Sequence, residues 1–239
     1  MQTVYVMHPT NIPILCTRPL PATLLDEAME QGLSIEVLSF IKTESILSAE
    51  VQQEIKQASV KTATVIFTSM NAVDAVTVFL DGQQPAWTIY SLGTTTHKLI
   101  SNYFGEERIA GIANDASALA SLIAKEAAPG EVIFFCGDQR RDELPAILKQ
   151  YSFDVQEITV YHTIATPHKI GKGYHGILFF SPSAADSFFS TNTLPESTVL
   201  FAIGITTANE IKKYTHNKII ISDAPGKENL VHTMMEYFS

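Results

Sequence analysis

Two stretches, VIFTSMNAVDAV at residues 65–76 and ILFFSPSAADSF at residues 177–188, carry the same pattern and decide how the chain is read. Ser69 matches Ser181, Asn71 matches Ser183 and Asp74 matches Asp186, all at one offset. Further along, YSLGTTTHKL (90–99) matches FAIGITTANEI (201–211), with Gly93 on Gly204 at almost the same offset. A third and weaker pair sets ILCTRPLPATLLDEAMEQGLSIEVLSF (14–40) against VIFFCGDQRRDELPAILKQYSFDVQEITVY (132–161), with Cys16 on Cys136. Self-similarity of this kind is the mark of a repeated structural unit.

Each copy has the same grammar. A short apolar, β-rich run such as Val65–Phe67 or Ile177–Phe180 reads as a strand buried on both faces. A polar turn follows, then an amphipathic stretch, Ala72–Leu80 or Ala184–Phe189, that reads as a helix. The other strands expected are Ile14–Cys16, Glu36–Phe40, Thr88–Leu92, Val132–Cys136, Val155–Tyr161, Val199–Ile203 and Lys218–Ile221. Alternating strands and helices imply βαβ units and parallel sheets covered on both faces. About five strands per copy suits a flavodoxin-like doubly wound sheet. Boundaries are expected at 38–43 and 159–165, where strand-like runs outlast their helix signals. The order of the repeats leaves open whether each domain is contiguous. Residues 1–10 match nothing and read as an extra strand or an arm.

Composition narrows the function. Of 239 residues 46% are apolar and 17% charged, enough for packed cores and incompatible with disorder. The formal net charge of −9 argues against a nucleic-acid partner, which needs a basic stripe. No apolar run reaches the roughly 20 residues of a membrane helix, and MQTVYVMHPTN lacks the charged and apolar regions of a secretory signal. Two cysteines, Cys16 and Cys136, build neither a disulfide framework nor a cysteine zinc site. A cytoplasmic protein without membrane or nucleic-acid partners is expected. Two repeats folded within one chain make a monomer the expected state.

In such sheets ligands bind beyond the carboxyl ends of the strands, at helix N-termini. The repeats place Thr68-Ser69-Met70-Asn71, Gly93-Thr94-Thr95-Thr96, Ser181-Pro182-Ser183 and Gly204-Ile205-Thr206-Thr207 there. Asn71-x-x-Asp74, Ser183-x-x-Asp186 and Thr207-x-x-Glu210 also have capping-box spacing, so the same residues read as helix starters. Taken together the four turns offer many amides and hydroxyls to a polyanion without any net positive charge. Arg18, after the first strand, and Arg140 and Arg141, in the matching turn of the other copy, are expected to face a ligand. Gly171-x-Gly173-x-x-Gly176 spells a dinucleotide fingerprint but precedes a strand instead of following one, so it reads as a loop. Seven scattered histidines give no metal-ligand spacing, and neither a phosphate loop nor a nucleophile elbow is present. Neither a metal nor a cofactor is expected.

The ordered set Thr17-Arg18-Pro19, Ile66-Phe67-Thr68-Ser69-x-Asn71-Ala72-Val73, Gly93-x-x-Thr96, Cys136-Gly137-x-x-Arg140-Arg141-x-x-Leu144, Val160-Tyr161-x-Thr163, Phe180-Ser181-Pro182-Ser183 and Ile203-Gly204-x-Thr206-Thr207-Ala208 resembles the uroporphyrinogen-III synthase family. The resemblance implies two flavodoxin-like domains joined by a two-stranded β connection, with a cleft between them. One domain would be discontinuous, 1–38 with 164–239, and the other would span 41–160. It implies a cofactor-free enzyme that cyclises hydroxymethylbilane, a linear tetrapyrrole with eight carboxylates. Water is lost and the D ring is inverted through a spiro intermediate, giving uroporphyrinogen III for haem and other tetrapyrroles. Hydroxymethylbilane synthase would hand over the substrate.

Carried onto this chain, the resemblance gives Tyr161 the role of assisting departure of the hydroxyl. Thr17, Arg18, Ser69, Asn71, Thr96, Arg140, Ser181, Ser183, Thr206 and Thr207 become carboxylate-binding candidates, with Thr68, Gly93, Gly137 and Gly204 contributing mainly backbone. Where the family often has a Pro-Thr pair before its last helix, Pro225 is followed here by Gly226 and Lys227. The competing expectation is a non-catalytic two-domain module that binds a polyanion on the same fold.

Overall fold

The computed structural model describes residues 11–224 and 226–239; the expected strand or arm at 1–10, and Pro225, lie outside the described residues. Strands and helices alternate along most of the chain: β1 (Ile12–Cys16), α1 (Ala22–Glu30), β2 (Leu33–Val37), β3 (Ile41–Ser45), α2 (Ala49–Ser59), β4 (Ala63–Phe67), α3 (Met70–Leu80), β5 (Trp87–Leu92), α4 (Thr94–Phe104) and β6 (Ile109–Ala113). The chain continues through α5 (Ala116–Glu126), β7 (Glu131–Gly137), α6 (Glu143–Gln150), β8 (Asp154–Ala165), β9 (Gly176–Phe179), α7 (Pro182–Phe189), β10 (Val199–Ala202), α8 (Ile205–Ile211), β11 (Ile219–Ile221) and α9 (Lys227–Phe238). The alternation is broken where β2 leads straight into β3 and β8 into β9. Among the described residues no helix is long and apolar enough to cross a membrane.

The chain divides into two units, Met1–Lys42 with Ile164–Ser239, and Thr43–Thr163. The first holds a sheet of order β11-β10-β9-β1-β2 and the second a sheet of order β3-β8-β7-β4-β5-β6. All pairings in the first are parallel, as are those from β8 to β6 in the second.

The apolar runs become central strands because both of their faces are covered. In the second unit Val65, Phe67, Ile133 and Phe135 pack under α2, α3 and α4. Alternate residues of the same strands, Ile66, Val132, Phe134 and Cys136, pack under α5 and α6. The first unit repeats the scheme. Ile14, Cys16, Leu178 and Phe180 meet α1 and α9, while Leu15, Ile177 and Phe179 meet α7 and α8. Period-two alternation thus sorts each strand between two helix layers.

Laid side by side, β2-β1-β9-β10-β11 and β8-β7-β4-β5-β6 have the same spatial order, with the repeats on matching strands. The chain merely enters them at different points, at β1 in one unit and at β4 in the other. The two units are circular permutations of one arrangement, which is why the third repeat opens the first unit and closes the second. The ladders also correct the cysteine match. Ile66 stands opposite Phe134 and Leu178 opposite Cys16, so Cys16 corresponds to Phe134, two residues before Cys136. A two-residue slip keeps the same face, which is why the apolar pattern could not detect it.

Other expectations need correction. The strand expected at Glu36–Phe40 is β2 at Leu33–Val37, and Phe40 is a fully buried core residue beyond it. Neither β3 nor β6 was expected: IKTES is exposed at four of its five positions, and IAGIA is short with a glycine at its centre. Three helices begin earlier than capping-box spacing suggests. The Oγ of Ser69 accepts from the Asn71 amide at 3.2 Å and that of Ser181 from the Ala184 amide at 3.1 Å, while Gly204 precedes α8. The chain enters helix as soon as each strand ends. The residue immediately before the helix therefore caps it where it bears a hydroxyl, as Ser69 and Ser181 do, whichever residue lies three before an acid.

Candidate functional site

In the second unit the strand order reverses direction between β4 and β7, because the crossovers from β4 run outward through β5 and β6 before the chain returns to β7. At such a switch point adjacent loops leave the sheet in opposite directions and open a crevice at its carboxyl edge. A cavity of about 390 Å³ lies there. Thr68 and Ser69 from the β4 turn, Gly137, Arg140 and Arg141 from the β7 turn, and Tyr161 from β8 all line it. Leu92, Phe134 and Leu144 supply an apolar wall, and Asn114, Asp115, Ala116 and Glu143 complete the lining. An apolar body with polar substituents fits such a surface.

Tyr161 is the centre of this site. Its hydroxyl donates to the Ser69 Oγ at 3.2 Å, and the same oxygen accepts from the Asn71 amide. The backbone of Tyr161 is held as well, its carbonyl accepting from the Asp138 amide at 3.1 Å. The Asp138 carboxylate in turn accepts from the Thr163 amide at 3.0 Å and meets His162 Nδ1 at 3.1 Å. Tyr161 also lines a smaller cavity of about 190 Å³, together with Thr43, Glu44, Ser45, Asn71 and Asp74. Tyr161 therefore borders both spaces.

Seven of the expected residues come together around these two spaces: Thr68, Ser69, Asn71, Gly137, Arg140, Arg141 and Tyr161. Arg140 does so without a free charge. Its guanidinium pairs with Glu157 of β8 and with Asp142, so its charge is already partnered where it lines the cavity. Arg141 is exposed on the same cavity and forms no ion pair among the described residues. Thr96 is buried in the first turn of α4 and lines neither cavity.

In the first unit the other expected residues occupy the carboxyl ends of β1, β9 and β10. Thr17 does not present its hydroxyl to solvent: it is fully buried and donates to the Leu178 carbonyl at 2.8 Å. Thr207 is likewise buried inside α8, so both expectations of ligand contact are corrected. Ser181 and Ser183 are half-buried with their hydroxyls 3.2 Å apart. Gly204 is half-buried and Thr206 is exposed. Arg18 lies over the Phe180 ring at 5.6 Å, and burial lowers its pKa. Lys227 at the start of α9 is lowered by burial first and by the Arg18 charge second. Neither cation forms an ion pair among the described residues. Burial pushes the Cys16 thiol up to about 11, against the opposing pull of the Arg18 backbone and charge.

Sequence reading missed Asn114, Asp115 and Ala116 because it missed β6, whose turn they form. Asp115 carried a usable signal as an N-cap residue before the apolar-periodic ASALASLIA. Its Oδ1 accepts from the Ala118 amide at 2.8 Å. Among the described residues no three His, Cys, Asp or Glu side chains are placed to hold a metal ion. The second unit's site offers a phenol donor, a hydroxyl, helix-start amides and one unpaired guanidinium beside an apolar wall. It suits an apolar ring bearing carboxylates.

A model of the family described as uroporphyrinogen-III synthase HemD matches residues 23–232. Among solved structures, the chain is similar to uroporphyrinogen-III synthetase from Helicobacter pylori, with a TM-score of 0.66 at 17% identity over 95% of this chain and 99% of that one. It is also similar to a mutant uroporphyrinogen III synthase from the extremely thermophilic bacterium Thermus thermophilus, with a TM-score of 0.62 at 12% identity over 95% of this chain and 97% of that one. At these identities the structural likeness is one of fold.

Proposed function

The chain belongs to the uroporphyrinogen-III synthase family, and from that membership we propose how its residues act on hydroxymethylbilane. The reaction closes the linear tetrapyrrole with loss of water and inversion of the last ring, giving uroporphyrinogen III for haem biosynthesis. The hydroxyl of the hydroxymethyl group leaves readily, since the pyrrole nitrogen stabilises the cation left on the methylene carbon. Unassisted closure gives the non-inverted isomer. The enzyme must therefore hold the chain so that the inward-facing, substituted carbon of the last ring attacks and forms the spiro intermediate. Orientation of this kind can contribute on the order of 7–11 kcal/mol.

Tyr161 turns its phenolic hydrogen from Ser69 to the departing oxygen, which leaves as water, in the role of a positioned acid, and the phenolate regains the proton that ring closure releases. The observation that carries this reading is the Tyr161 hydroxyl held on Ser69 at the edge of the switch-point cavity. Thr68, Ser69 and Asn71 receive carboxylates through hydroxyls and helix-start amides, and Arg141 supplies a countercharge. In the first unit Arg18, Ser181, Ser183, Gly204 and Thr206 bind further carboxylates, with Lys227 beside Arg18. The same reading takes the units as flavodoxin-like domains connected through the neighbouring strands β3 and β8, and the protein as a cytoplasmic monomer supplied by hydroxymethylbilane synthase. The strand order supports the first part of it.

The test is the isomer ratio formed from freshly generated hydroxymethylbilane, oxidised and separated by chromatography. Addition of the protein is expected to shift the product from isomer I to isomer III. Unchanged isomer I with folded protein overturns the reading.

A further inference from the structure

The ladder between β7 and β8 slips at its carboxyl end. The strands pair residue for residue up to Cys136 opposite Thr159, and then Gly137 stands opposite Tyr161. Val160 is thus an extra residue in β8, a bulge of the kind that re-aims side chains beside functional sites. Regular alternation would send Val160 and Tyr161 to opposite faces. Instead Tyr161 packs against the same core cluster that contains Ile158 and Val160.

That turn lays the phenol across Gly137. A Cβ placed on Gly137 would lie 2.4 Å from Tyr161 Cζ, 2.6 Å from Cε2 and 2.7 Å from the hydroxyl oxygen. Ordinary carbon contacts are about 3.5–4.0 Å. The backbone does not itself demand glycine here, because Gly137 is absent from the residues with positive φ. Space is what excludes a side chain. Nor can Tyr161 retreat freely, since its carbonyl is bonded to Asp138 and its hydroxyl to Ser69.

We propose that Gly137 is a positioning residue for Tyr161: the missing side chain is the slot in which the phenol lies, and with the β8 bulge it sets where the hydroxyl points. This rests on the reading that the Tyr161 hydroxyl assists the reaction. Restoring normal contact against an alanine would move the ring by about 1 Å, and a displacement of that size costs about 100-fold in rate.

The experiment is a double-mutant cycle of Gly137→Ala and Tyr161→Ala, read as the rate of isomer III formation at saturating substrate, as KM, and as thermal stability. Gly137→Ala alone is expected to lower kcat about 100-fold with KM little changed. In the Tyr161→Ala background it is expected to have no further effect on rate and to regain stability, because the clash is gone. A wild-type rate for Gly137→Ala overturns the proposal. So does an equal loss in both backgrounds, which would mean that Gly137 contacts substrate directly. If Gly137→Ala alone fails to fold, refolding of the double variant supports the slot and its failure to fold overturns it. Tyr161→Phe at wild-type rate would instead refute the catalytic reading, leaving the stability cycle to decide the slot by itself.

Discussion

Replacing Tyr161 with Phe removes one oxygen and leaves the ring in its place. The fold loses a single, rather long hydrogen bond to Ser69, whose oxygen keeps the Asn71 amide as a donor. A bond of that kind contributes about 0.5–1.5 kcal/mol net, and the half-buried setting favours the lower end. At about 2–4 °C of Tm per kcal/mol for a chain of this size, the variant should melt only a few degrees lower. If the phenol assists the leaving hydroxyl, the rate should fall by about 10²–10⁴-fold. At about 1.36 kcal/mol per tenfold, that is about 2.7–5.4 kcal/mol of barrier, several times the loss in stability. The assay follows isomer III by chromatography from freshly made hydroxymethylbilane, with the spontaneous isomer I as the internal floor. A variant that keeps more than about half the wild-type rate would refute the reasoning, because the 10²-fold lower bound for a positioned acid could not then apply. A large Tm loss accompanying the lost rate would refute it differently, by making Tyr161 a packing residue.

Thr17→Val should lower stability by about 1 kcal/mol in denaturant titration and leave KM unchanged, because the buried hydroxyl serves the Leu178 carbonyl, which also accepts from the Thr17 amide. Arg141→Gln should raise KM several-fold with kcat little changed, whereas Arg140→Gln should act mainly on Tm, since Arg140 is already paired with Glu157. Cys16 and Cys136 should resist an aromatic disulfide reagent at neutral pH in the native protein and both react after unfolding. Their exposures are 0% and 1%, and burial raises both thiols. The Tyr174 phenol, pushed up to about 12 by burial and then by its hydrogen bond to Glu36, holds its proton more tightly when folded. Its contribution to stability should be full below about pH 10 and fall away between about pH 10 and 12, and Tyr174→Phe should flatten that decline in Tm.

The central strands were legible because they are covered on both faces, which forces near-continuous apolar runs such as ATVIF and GILF. Edge strands feel no such pressure, and β3 and β6 left little trace. The hydroxyl-bearing turns were legible too, since a strand that ends in a helix start needs a cap, and Ser69 and Ser181 supply one. Which hydroxyls remain available was not legible. Thr17 and Ser69 both follow strands, yet one is spent on a neighbouring strand's carbonyl and the other receives a phenol from β8.

Local order in the chain therefore determined the alternation of strand and helix, the repeat and the polar edge, because propensity, burial and capping act over a few neighbouring residues. Tertiary structure alone decided that Arg140 is neutralised by Glu157, that Thr17, Thr96 and Thr207 are buried, and that Tyr161 leaves its regular face to lie across Gly137. Each of these depends on strand register, or on how strands and helices pack together. A one-residue slip between β7 and β8 reverses the facing of a side chain while leaving the composition of both strands unchanged.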